Sequence, residues 1–254
     1  MASKSSGRFV WHELATTDVK KSAAFYSELF GWKTTEEPMG PTTYTMLKQG
    51  TTSIGGITSL TPSEPPHWRM YCTVADVDAA AKKATELGGK VLYAPSDIPT
   101  VGRFAVVADP QGAVLLPFLP SQPADTTPEP EGPPPVGTFC WDELMTSDPA
   151  KAAEFYTAIY GWTTKEQELG AHGTYRTLLR GERMTGGIMS LPMPGIPPQW
   201  GTYVAVASVE DTVKRVESLK AKVLVPPSDI PGMGRFAVFG DPLGATLSVF
   251  HGNA

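Results

Sequence analysis

Large apolar and polar side chains alternate near the start of the chain, along Phe9–Leu14. A period of two is typical of a half-buried β-strand. Asp18 follows as a candidate helix N-cap, and large apolar residues around Phe25 and Tyr26 then recur with helical spacing. Gly31 is the residue type that commonly ends a helix. The pattern therefore predicts a strand and then a helix that ends near Gly31.

Further apolar segments follow, separated by turn residues. They predict strands at about Tyr44–Lys48, Gly56–Leu60, Trp68–Val74, Lys90–Tyr93, Arg103–Ala108 and Val114–Phe118, and a second helix at about Asp78–Leu87. The order of strand, helix and further strands thus occurs twice, which we interpret as two βαβββ modules.

The whole pattern recurs in the second half of the chain. Phe9–Trp32 matches Phe139–Trp162 at 12 of 24 positions, and Ser96–Ala113 matches Ser228–Ala245 at 13 of 18 positions. Such identity indicates a duplication. Seven of the 16 residues from Pro120 to Pro135 are proline, which is typical of an extended linker. We therefore predict two homologous domains, 1–119 and 137–254, joined by a Pro-rich linker at 120–136.

Composition and charge narrow the class of protein. Hydrophobic residues make up 41% of the chain and charged residues 19%, as in globular proteins, and the net charge of −5 argues against a nucleic-acid partner. The sequence has no apolar run long enough for a membrane span and no signal-peptide core, so we expect a cytoplasmic protein without a membrane partner. Cys72 and Cys140 lie in apolar strand segments and are expected to be buried, reduced thiols.

The repeated motifs resemble those of a known family. The helix motif D-x-x-x-S/A-x-x-F-Y-x-x-x-x-G-W, the later V-x-D-V-D and the final D-P-x-G-A resemble the vicinal oxygen chelate superfamily. That group includes glyoxalase I, extradiol dioxygenases and bleomycin-binding proteins. The resemblance implies an α+β fold of tandem domains, each made of two βαβββ modules whose curved mixed sheets enclose a cleft.

Enzymes of this superfamily hold a divalent metal in the cleft with four side chains, usually His, Glu or Gln. Transferred residue by residue, the ligand positions are Trp11, Arg69, Leu116 and the segment Gly56–Thr58 in the first repeat, and Trp141, Gly201, Ser248 and the segment Gly187–Met189 in the second. None of these is a usual metal ligand, and an Arg guanidinium offers only donors. We therefore expect no bound metal and no cofactor.

The four histidines do not change this expectation. His12 is next to a ligand position, but strands alternate faces, so it should point away from the side that Trp11 faces. His67, His172 and His251 lie before a strand, in a turn and at the C-terminus. None has a partner histidine at ligand spacing.

The resemblance instead predicts an aromatic-lined cleft. The concave side should carry Phe9, Trp11, Arg69, Tyr71, Leu116 and Phe118 in the first repeat, and Phe139, Trp141, Tyr203, Ser248 and Phe250 in the second. Aromatic surfaces with a few polar groups are typical of sites for organic ligands. Trp11 and Trp141 either line these sites or fill them.

Glu13 and Glu143 are the candidate catalytic residues. A carboxylate on an apolar face is desolvated, which raises its pKa toward the range of a general base. Alternatively, each glutamate accepts hydrogen bonds from Arg103 or Arg235, or from nearby backbone. We expect those two arginines to hold the preceding Ser-Asp-Ile-Pro loops through Asp97 and Asp229.

Two functions follow from this reading. The first is a metal-independent glyoxalase/bleomycin-resistance-like protein that binds a small hydrophobic or aromatic metabolite. The alternative is an enzyme of the superfamily, a glyoxalase-like lyase or isomerase or a hydroxylase-type accessory of secondary metabolism, that uses a cleft glutamate or an atypically bound metal. The expected partner is a small molecule, and the chain is expected to be a monomer or a homodimer.

Overall fold

A computed structural model describes residues 6–39, 42–60, 64–122, 132–168 and 173–253. His172 and linker residues 123–131 lie outside the described residues. Within the described ranges the chain forms sixteen strands and four helices. The first repeat contains β1 (Phe9–Thr16), α1 (Val19–Phe30), β2 (Lys33–Met39), β3 (Thr42–Gln49), β4 (Thr52–Ser59), β5 (His67–Thr73), α2 (Val77–Glu86), β6 (Lys90–Ile98), β7 (Gly102–Ala108) and β8 (Val114–Pro120).

The second repeat has the same order of elements. It contains β9 (Phe139–Thr146), α3 (Pro149–Tyr160), β10 (Thr163–Glu168), β11 (Thr174–Arg180), β12 (Arg183–Ser190), β13 (Gln199–Ala205), α4 (Val209–Ser218), β14 (Lys222–Ile230), β15 (Gly234–Gly240) and β16 (Thr246–Gly252). Each repeat is therefore β-α-β-β-β twice over.

Each repeat forms one eight-stranded mixed sheet. The strand orders are β2-β3-β4-β1-β5-β8-β7-β6 and β10-β11-β12-β9-β13-β16-β15-β14. The first strand of each module pairs in parallel with the last strand of the same module, as β1 does with β4 and β5 with β8. In the first repeat, the pairs β2–β3, β3–β4, β6–β7 and β7–β8 are antiparallel. This α+β architecture confirms the predicted fold class.

The local signals for the helices are also confirmed. The Asp18 side chain accepts a hydrogen bond from Lys21 N at 3.0 Å and caps α1, while Gly31 ends it with φ of 74°. Only glycine adopts that left-handed conformation without a steric cost. Asp148 and Gly161 bound α3 in the same way. The strands β2 and β10 are exposed and polar, so they show no apolar alternation that would have located them.

Contact clustering divides the chain into two compact units. Unit 1 contains Met1–Val10, Met70–Glu129 and Trp141–Trp200, and unit 2 contains Trp11–Arg69, Pro130–Cys140 and Gly201–Ala254. Each unit thus combines a βαβββ module from one repeat with one from the other, apart from short segments at the module boundaries.

Unit 2 has an aromatic core beside α1. Trp68 Nε1 donates to Tyr26 Oη at 3.3 Å, and that hydroxyl donates to Asp241 Oδ2 at 3.2 Å. Trp32 Nε1 donates to the Gly137 carbonyl at 2.7 Å. The buried indoles thus place their polar N–H groups on acceptors, which removes the cost of burying them unpaired.

Unit 1 has a matching core beside α3. Trp200 Nε1 donates to Tyr156 Oη at 3.0 Å, and Trp162 Nε1 donates to the Gly7 carbonyl at 2.7 Å. The Phe9 ring lies 5.6 Å from Trp162 and 5.5 Å from Trp200. The Phe-Tyr pairs of the two helices, Phe25–Tyr26 on α1 and Phe155–Tyr156 on α3, are buried in these cores.

Cys72 and Cys140 form no disulfide in the described part of the chain. Cys72 is buried as predicted, and burial raises its pKa well above the ordinary value, but Cys140 is only half-buried. In the described ranges, no helix is long and apolar enough to cross a membrane.

Candidate functional site

The candidate site in unit 2 is a chain of three hydrogen-bonded side chains, Trp11, Tyr44 and Glu13. Trp11 and Glu13 are two residues apart on β1 and so lie on the same face of the strand. Trp11 Nε1 donates to Tyr44 Oη at 2.9 Å, and Tyr44 Oη donates to Glu13 Oε2 at 3.0 Å. Glu13 is 7% exposed. The buried carboxylate is therefore stabilised by a phenol whose own oxygen is held by an indole.

The same arrangement occurs in unit 1. Trp141 Nε1 donates to Tyr175 Oη at 3.0 Å, and Tyr175 Oη donates to Glu143 Oε1 at 2.8 Å. Glu143 is also 7% exposed. Burial, and then the charge of Glu143, raise the pKa of Tyr175 well above its ordinary value. The phenol therefore keeps its proton and acts as a donor to the carboxylate. We call each of these groups a Trp-Tyr-Glu relay.

A glycine makes room for each tyrosine. β4 lies between β3 and β1, and Gly56 is in register with Glu13. Tyr44 must reach about 10 Å across two strand spacings to contact Glu13, and its ring passes over Gly56. A Cβ atom at Gly56 would overlap the Tyr44 hydroxyl. The corresponding Cβ at Gly187 would overlap the Tyr175 hydroxyl.

Arg69 extends the relay in unit 2. Its guanidinium Nη1 lies 3.6 Å from Glu13 Oε1, and its Nη2 lies 3.6 Å from Glu64 Oε2. The Arg69 side chain remains 27% exposed, so part of the guanidinium faces solvent. The equivalent residue of the second repeat is Gly201, which has no side chain. The two relays therefore differ in charge.

His67 orients Arg69. His67 Nδ1 lies 2.8 Å from the Pro65 carbonyl oxygen, which can only accept, so this nitrogen carries the proton. The other ring nitrogen, Nε2, accepts from Arg69 Nε at 3.1 Å. Burial lowers the pKa of His67, which favours this neutral form.

The donor set does not fit a divalent metal. Each relay supplies one carboxylate, which already accepts a hydrogen bond from a phenol, and the Trp and Arg groups offer only N–H donors. Tyr44 and Tyr175 take the space above Gly56 and Gly187, where a ligand side chain would start. The described part of the chain contains no group of three or more His, Cys, Asp or Glu residues able to hold a metal ion.

The remaining lining residues predicted for the first repeat come together in unit 1. Tyr71 is in register with Leu116, and its ring lies 5.8 Å from the Phe118 ring. Tyr71, Leu116 and Phe118 are 6%, 1% and 9% exposed, so they are part of a packed apolar surface. Leu116 in particular offers almost no free surface to a ligand.

The equivalent residues of the second repeat come together in unit 2. Tyr203 is in register with Ser248, and its ring lies 6.5 Å from Phe236. Ser248 is 7% exposed, whereas Tyr203 and Phe250 are half-buried. This surface is therefore more open than its counterpart.

Arg103 and Arg235 bind acidic residues other than the relay glutamates. Arg103 Nη1 donates to Asp97 at 3.0 Å, and Arg235 Nη1 donates to Asp229 at 2.5 Å, which confirms that they hold the Ser-Asp-Ile-Pro loops. Arg103 also contacts Asp78, at 2.7 Å, and Arg235 contacts Glu210, at 2.7 Å. Their cationic groups are thus engaged with other acids than Glu13 and Glu143.

Phe9 and Phe139 are half-buried and contact the aromatic cores, so the cleft-facing side predicted for them stays a prediction. Phe9 packs on Trp162 and Trp200, and Phe139 lies 5.5 Å from Trp32 and 5.4 Å from Trp68, in the aromatic cores. Large rings at the start of a strand are more stable in these cores than on a partly hydrated face. His12 stacks on Phe139 at 3.9 Å, so it does turn away from the contacts of Trp11.

Tyr44 and Tyr175 were missed by sequence reasoning. The signal that would have found them is their spacing, because each lies eleven and twelve residues before a Gly-Gly pair, at 55–56 and 186–187, in both copies. A tyrosine and two glycines conserved between the copies at that spacing mark a side chain that crosses a strand.

Comparison with known proteins places these features in a family. A family model described as "Glyoxalase/Bleomycin resistance protein/Dioxygenase superfamily" matches residues 8–115 and 139–249. The chain is 36% identical over 245 residues to the protein named "Putative glyoxylase CFP32" of Mycobacterium tuberculosis, covering 94% of this chain and 92% of that protein. It is 31% identical over 263 residues to "Anthracycline biosynthesis protein DnrV" of Streptomyces peucetius, covering 96% and 92%.

Solved structures share the fold at low sequence identity. The 2,3-dioxygenase LapB from Pseudomonas sp. KL28 superposes with a TM-score of 0.67 at 12% identity, covering 99% of this chain and 94% of that chain. The Mn(II)-bound glyoxalase from Novosphingobium aromaticivorans gives a TM-score of 0.65 at 15% identity, covering 99% and 83%.

Proposed function

The chain belongs to the glyoxalase/bleomycin resistance protein/dioxygenase superfamily, and on that premise we propose that it binds a small planar aromatic metabolite without using a metal. The observation that carries this proposal is the Trp-Tyr-Glu relay, which occurs in both repeats. It supplies aromatic faces and one carboxylate in a region where a metal centre would need several N or O donors.

The indoles are suited to contact a planar ligand. Trp11 and Trp141 are half-buried, so they are neither fully exposed nor sealed in the core. Because each Nε1–H group is held by a tyrosine, the ring orientation is fixed before a ligand arrives. Fixing a side chain in advance lowers the entropy cost of binding. These features favour the interpretation that the two indoles line a ligand site over the interpretation that they fill it.

Arg69 gives the first repeat a preference for acidic or carbonyl-bearing ligands. Its guanidinium is held by His67 and by two carboxylates at 3.6 Å, which is longer than a direct hydrogen bond, and it is 27% exposed. The N–H groups of Arg69 can therefore donate hydrogen bonds to a ligand oxygen. The second repeat has Gly201 at this position and should prefer neutral ligands.

The name of one relative supports an aromatic ligand. The name of DnrV refers to the biosynthesis of anthracyclines, which are planar polycyclic compounds, and this chain matches that protein over nearly its full length. From that name we take only the chemical class of the ligand, a planar aromatic compound. We also propose a cytoplasmic location, a monomeric or homodimeric state and no nucleic-acid partner.

Calorimetric titration with a panel of one-, two- and three-ring aromatic acids and ketones tests the proposal. We expect binding at one or two sites per chain, weakened about tenfold or more by Trp11→Ala or Trp141→Ala, because truncating a central aromatic contact costs about 2 kcal/mol or more. Leu224→Ala, an exposed residue of β14, is the control and should have no effect. Absence of binding across the panel would overturn the proposal.

Metal independence needs its own measurement. We expect elemental analysis of protein purified without chelator to give far less than one Zn, Mn, Fe or Ni per chain. Ligand affinity should also be the same before and after dialysis against a chelator. A stoichiometric metal that is required for ligand binding would contradict this part of the proposal.

A second candidate function is that of a lyase or isomerase in which a glutamate is the general base. The contact that favours it is the short Tyr175–Glu143 hydrogen bond, because it fixes the orientation of the carboxylate that would accept the proton. Glu13 is the weaker candidate, since Arg69 lies 3.6 Å from it and stabilises the ionised form. Unchanged turnover in both Glu13→Gln and Glu143→Gln would exclude the general-base role.

A further inference from the structure

Four aromatic rings form a continuous row within unit 1. The Tyr93 ring on β6 stacks on Phe104 of β7 with centroids 5.4 Å apart and an interplanar angle of 16°. Phe104 lies 6.0 Å from Tyr71 of β5, and Tyr71 lies 5.8 Å from Phe118 of β8. We call these four residues the aromatic row.

The row leads from solvent into the interior. Tyr93 is 52% exposed, Phe104 is half-buried, and Tyr71 and Phe118 are 6% and 9% exposed. An aromatic ring that is half-exposed yet stacked in parallel on its neighbour keeps one face open to solvent in a fixed orientation. Tyrosine offers such contact area at a low entropy cost because it has only two side-chain torsions.

The backbone of β6 is irregular on both sides of Tyr93. The pairing of β6 with β7 shifts register between Val91 and Tyr93 and again between Tyr93 and Ser96. Register shifts of this kind re-aim a side chain and are common beside functional sites. The strand thus directs the Tyr93 ring onto Phe104.

The second repeat retains this backbone but lacks the outer ring. β14 shifts register against β15 between Val223 and Val225, and again between Val225 and Ser228. Val225 is the counterpart of Tyr93, while the other three rings are present as Phe236, Tyr203 and Phe250. The tyrosine is therefore not required for the strand to form, because valine serves at the same irregular position.

We propose that Tyr93 is a specificity-determining residue for a ligand bound within unit 1, and that its exposed ring extends the aromatic row so that a planar ligand of three or more fused rings can stack there. This inference rests on the proposed function and adds the size class of the ligand. Unit 2, where Val225 takes the place of Tyr93 beside Phe236, accepts smaller ligands.

Two sulfonates that differ in ring number test the inference by calorimetric titration. The probes are anthraquinone-2-sulfonate, with three fused rings, and benzenesulfonate, with one. Tyr93→Val should weaken binding of the three-ring probe about 3- to 10-fold, since an aromatic pair contributes about 0.5–1.5 kcal/mol beyond its area. Binding of benzenesulfonate should change less than about twofold.

Three further variants separate a ligand contact from a structural role. Tyr93→Phe keeps the ring and should bind like the natural protein, and Leu92→Ala, on the same strand and 58% exposed, should have no effect on affinity. Val225→Tyr should raise the affinity of unit 2 for the three-ring probe. Melting temperatures of all variants identify any loss of folding.

The possible outcomes are distinct. If Tyr93→Val lowers the melting temperature but leaves the affinity for anthraquinone-2-sulfonate unchanged, the ring only covers the sheet edge, and the inference is overturned while the proposed function stands. If the natural protein binds no aromatic compound at all, both are overturned.

Discussion

The hydroxyl of Tyr175 lies 2.8 Å from Glu143 Oε1 and donates its proton to that carboxylate. The tyrosine comes from β11 and the glutamate from β9, with β12 between them. A contact across an intervening strand is possible because Gly187 on β12 has no side chain. This pair and its copy, Tyr44 and Glu13, set the chemistry of the candidate site.

Tyr175→Phe tests the contribution of that hydrogen bond. Removing the hydroxyl deprives a buried carboxylate of a donor and a buried indole N–H of its acceptor, so we expect the free energy of unfolding to fall by about 1–3 kcal/mol. Urea unfolding measures this. Tyr93→Phe, whose ring lies on the surface, is the matched control and should be nearly neutral. Equal stability of both variants would show that the relay contributes nothing to folding.

Gly187→Ala tests the space that the tyrosine occupies. The added Cβ overlaps the Tyr175 ring, so we expect a loss of about 1–3 kcal/mol and weaker aromatic binding in the second repeat. Gly240→Ala is the control, because the nearest side-chain atom to its Cβ is 3.8 Å away. The double variant Gly187→Ala/Tyr175→Ala should lose less stability than the sum of the two single variants, since the clash is gone. Strict additivity would contradict the overlap.

Arg69→Gly gives the first repeat the residue that the second repeat has at the equivalent position, Gly201. Arg69→Gly should weaken binding of 2-naphthoate by about 10- to 150-fold, since a hydrogen bond to a charged group contributes about 1.5–3 kcal/mol, while a neutral two-ring ketone should be affected little. The loss should shrink at high salt because exposed charges are screened. Lys214→Ala, which removes an exposed cation of α4 that pairs with Asp211, serves as the charge control. An equal loss for acid and ketone would mean that Arg69 acts by packing alone.

Asp109 gives a pH-dependent prediction. Burial raises its pKa above the ordinary 3.8, although the backbone N–H groups of Gln111 and Ala113 donate to its Oδ1 atom. The folded protein then binds the proton more tightly than the unfolded chain, so this group costs stability as pH rises from about 3.8 through its folded-state pKa.

Asp109→Asn should remove that cost, because the amide carries no charge at any pH. We would measure the free energy of unfolding of both proteins from pH 3.5 to 7.5. As the pH rises, the value for Asp109→Asn should increase relative to that of the natural protein. Asp241→Asn controls for the turn, since Asp241 Oδ1 accepts from Leu243 N and Ala245 N much as Asp109 Oδ1 does from Gln111 N and Ala113 N. Parallel curves for natural protein and Asp109→Asn would contradict the assignment.

Much of the fold could be predicted because its signals are local. Asp18 and Gly31 bound α1 through contacts within four residues, and the alternation along Phe9–Leu14 marks the start of β1. Because the chain is duplicated, each element predicted in the first repeat was also predicted in the second repeat. The exposed strand β2 has no such signal, because it is held by pairing with β3 and not by burial of its own side chains.

The candidate site could be predicted only in part. Alternation along β1 correctly paired Trp11 with Glu13, but nothing in the neighbouring residues indicated Tyr44, which is 31 residues beyond Glu13. Phe9 shares the same alternation and yet packs on Trp162 and Trp200 in the core of unit 1. Periodicity predicts which face of the strand a side chain lies on. Which residues it contacts there depends on the elements that pack against that part of the strand in the folded protein.

The sequence by itself determined the duplication, the α+β modules, and the absence of usual metal-ligand residues from the family's ligand positions. Those properties depend on residue identity and on spacing along the chain. Only the tertiary structure decided that tyrosines reach across glycines to make the relays, and that Tyr93 rather than Val225 extends a row of rings. Both depend on contacts between strands far apart in sequence, which exist only after the sheets have formed.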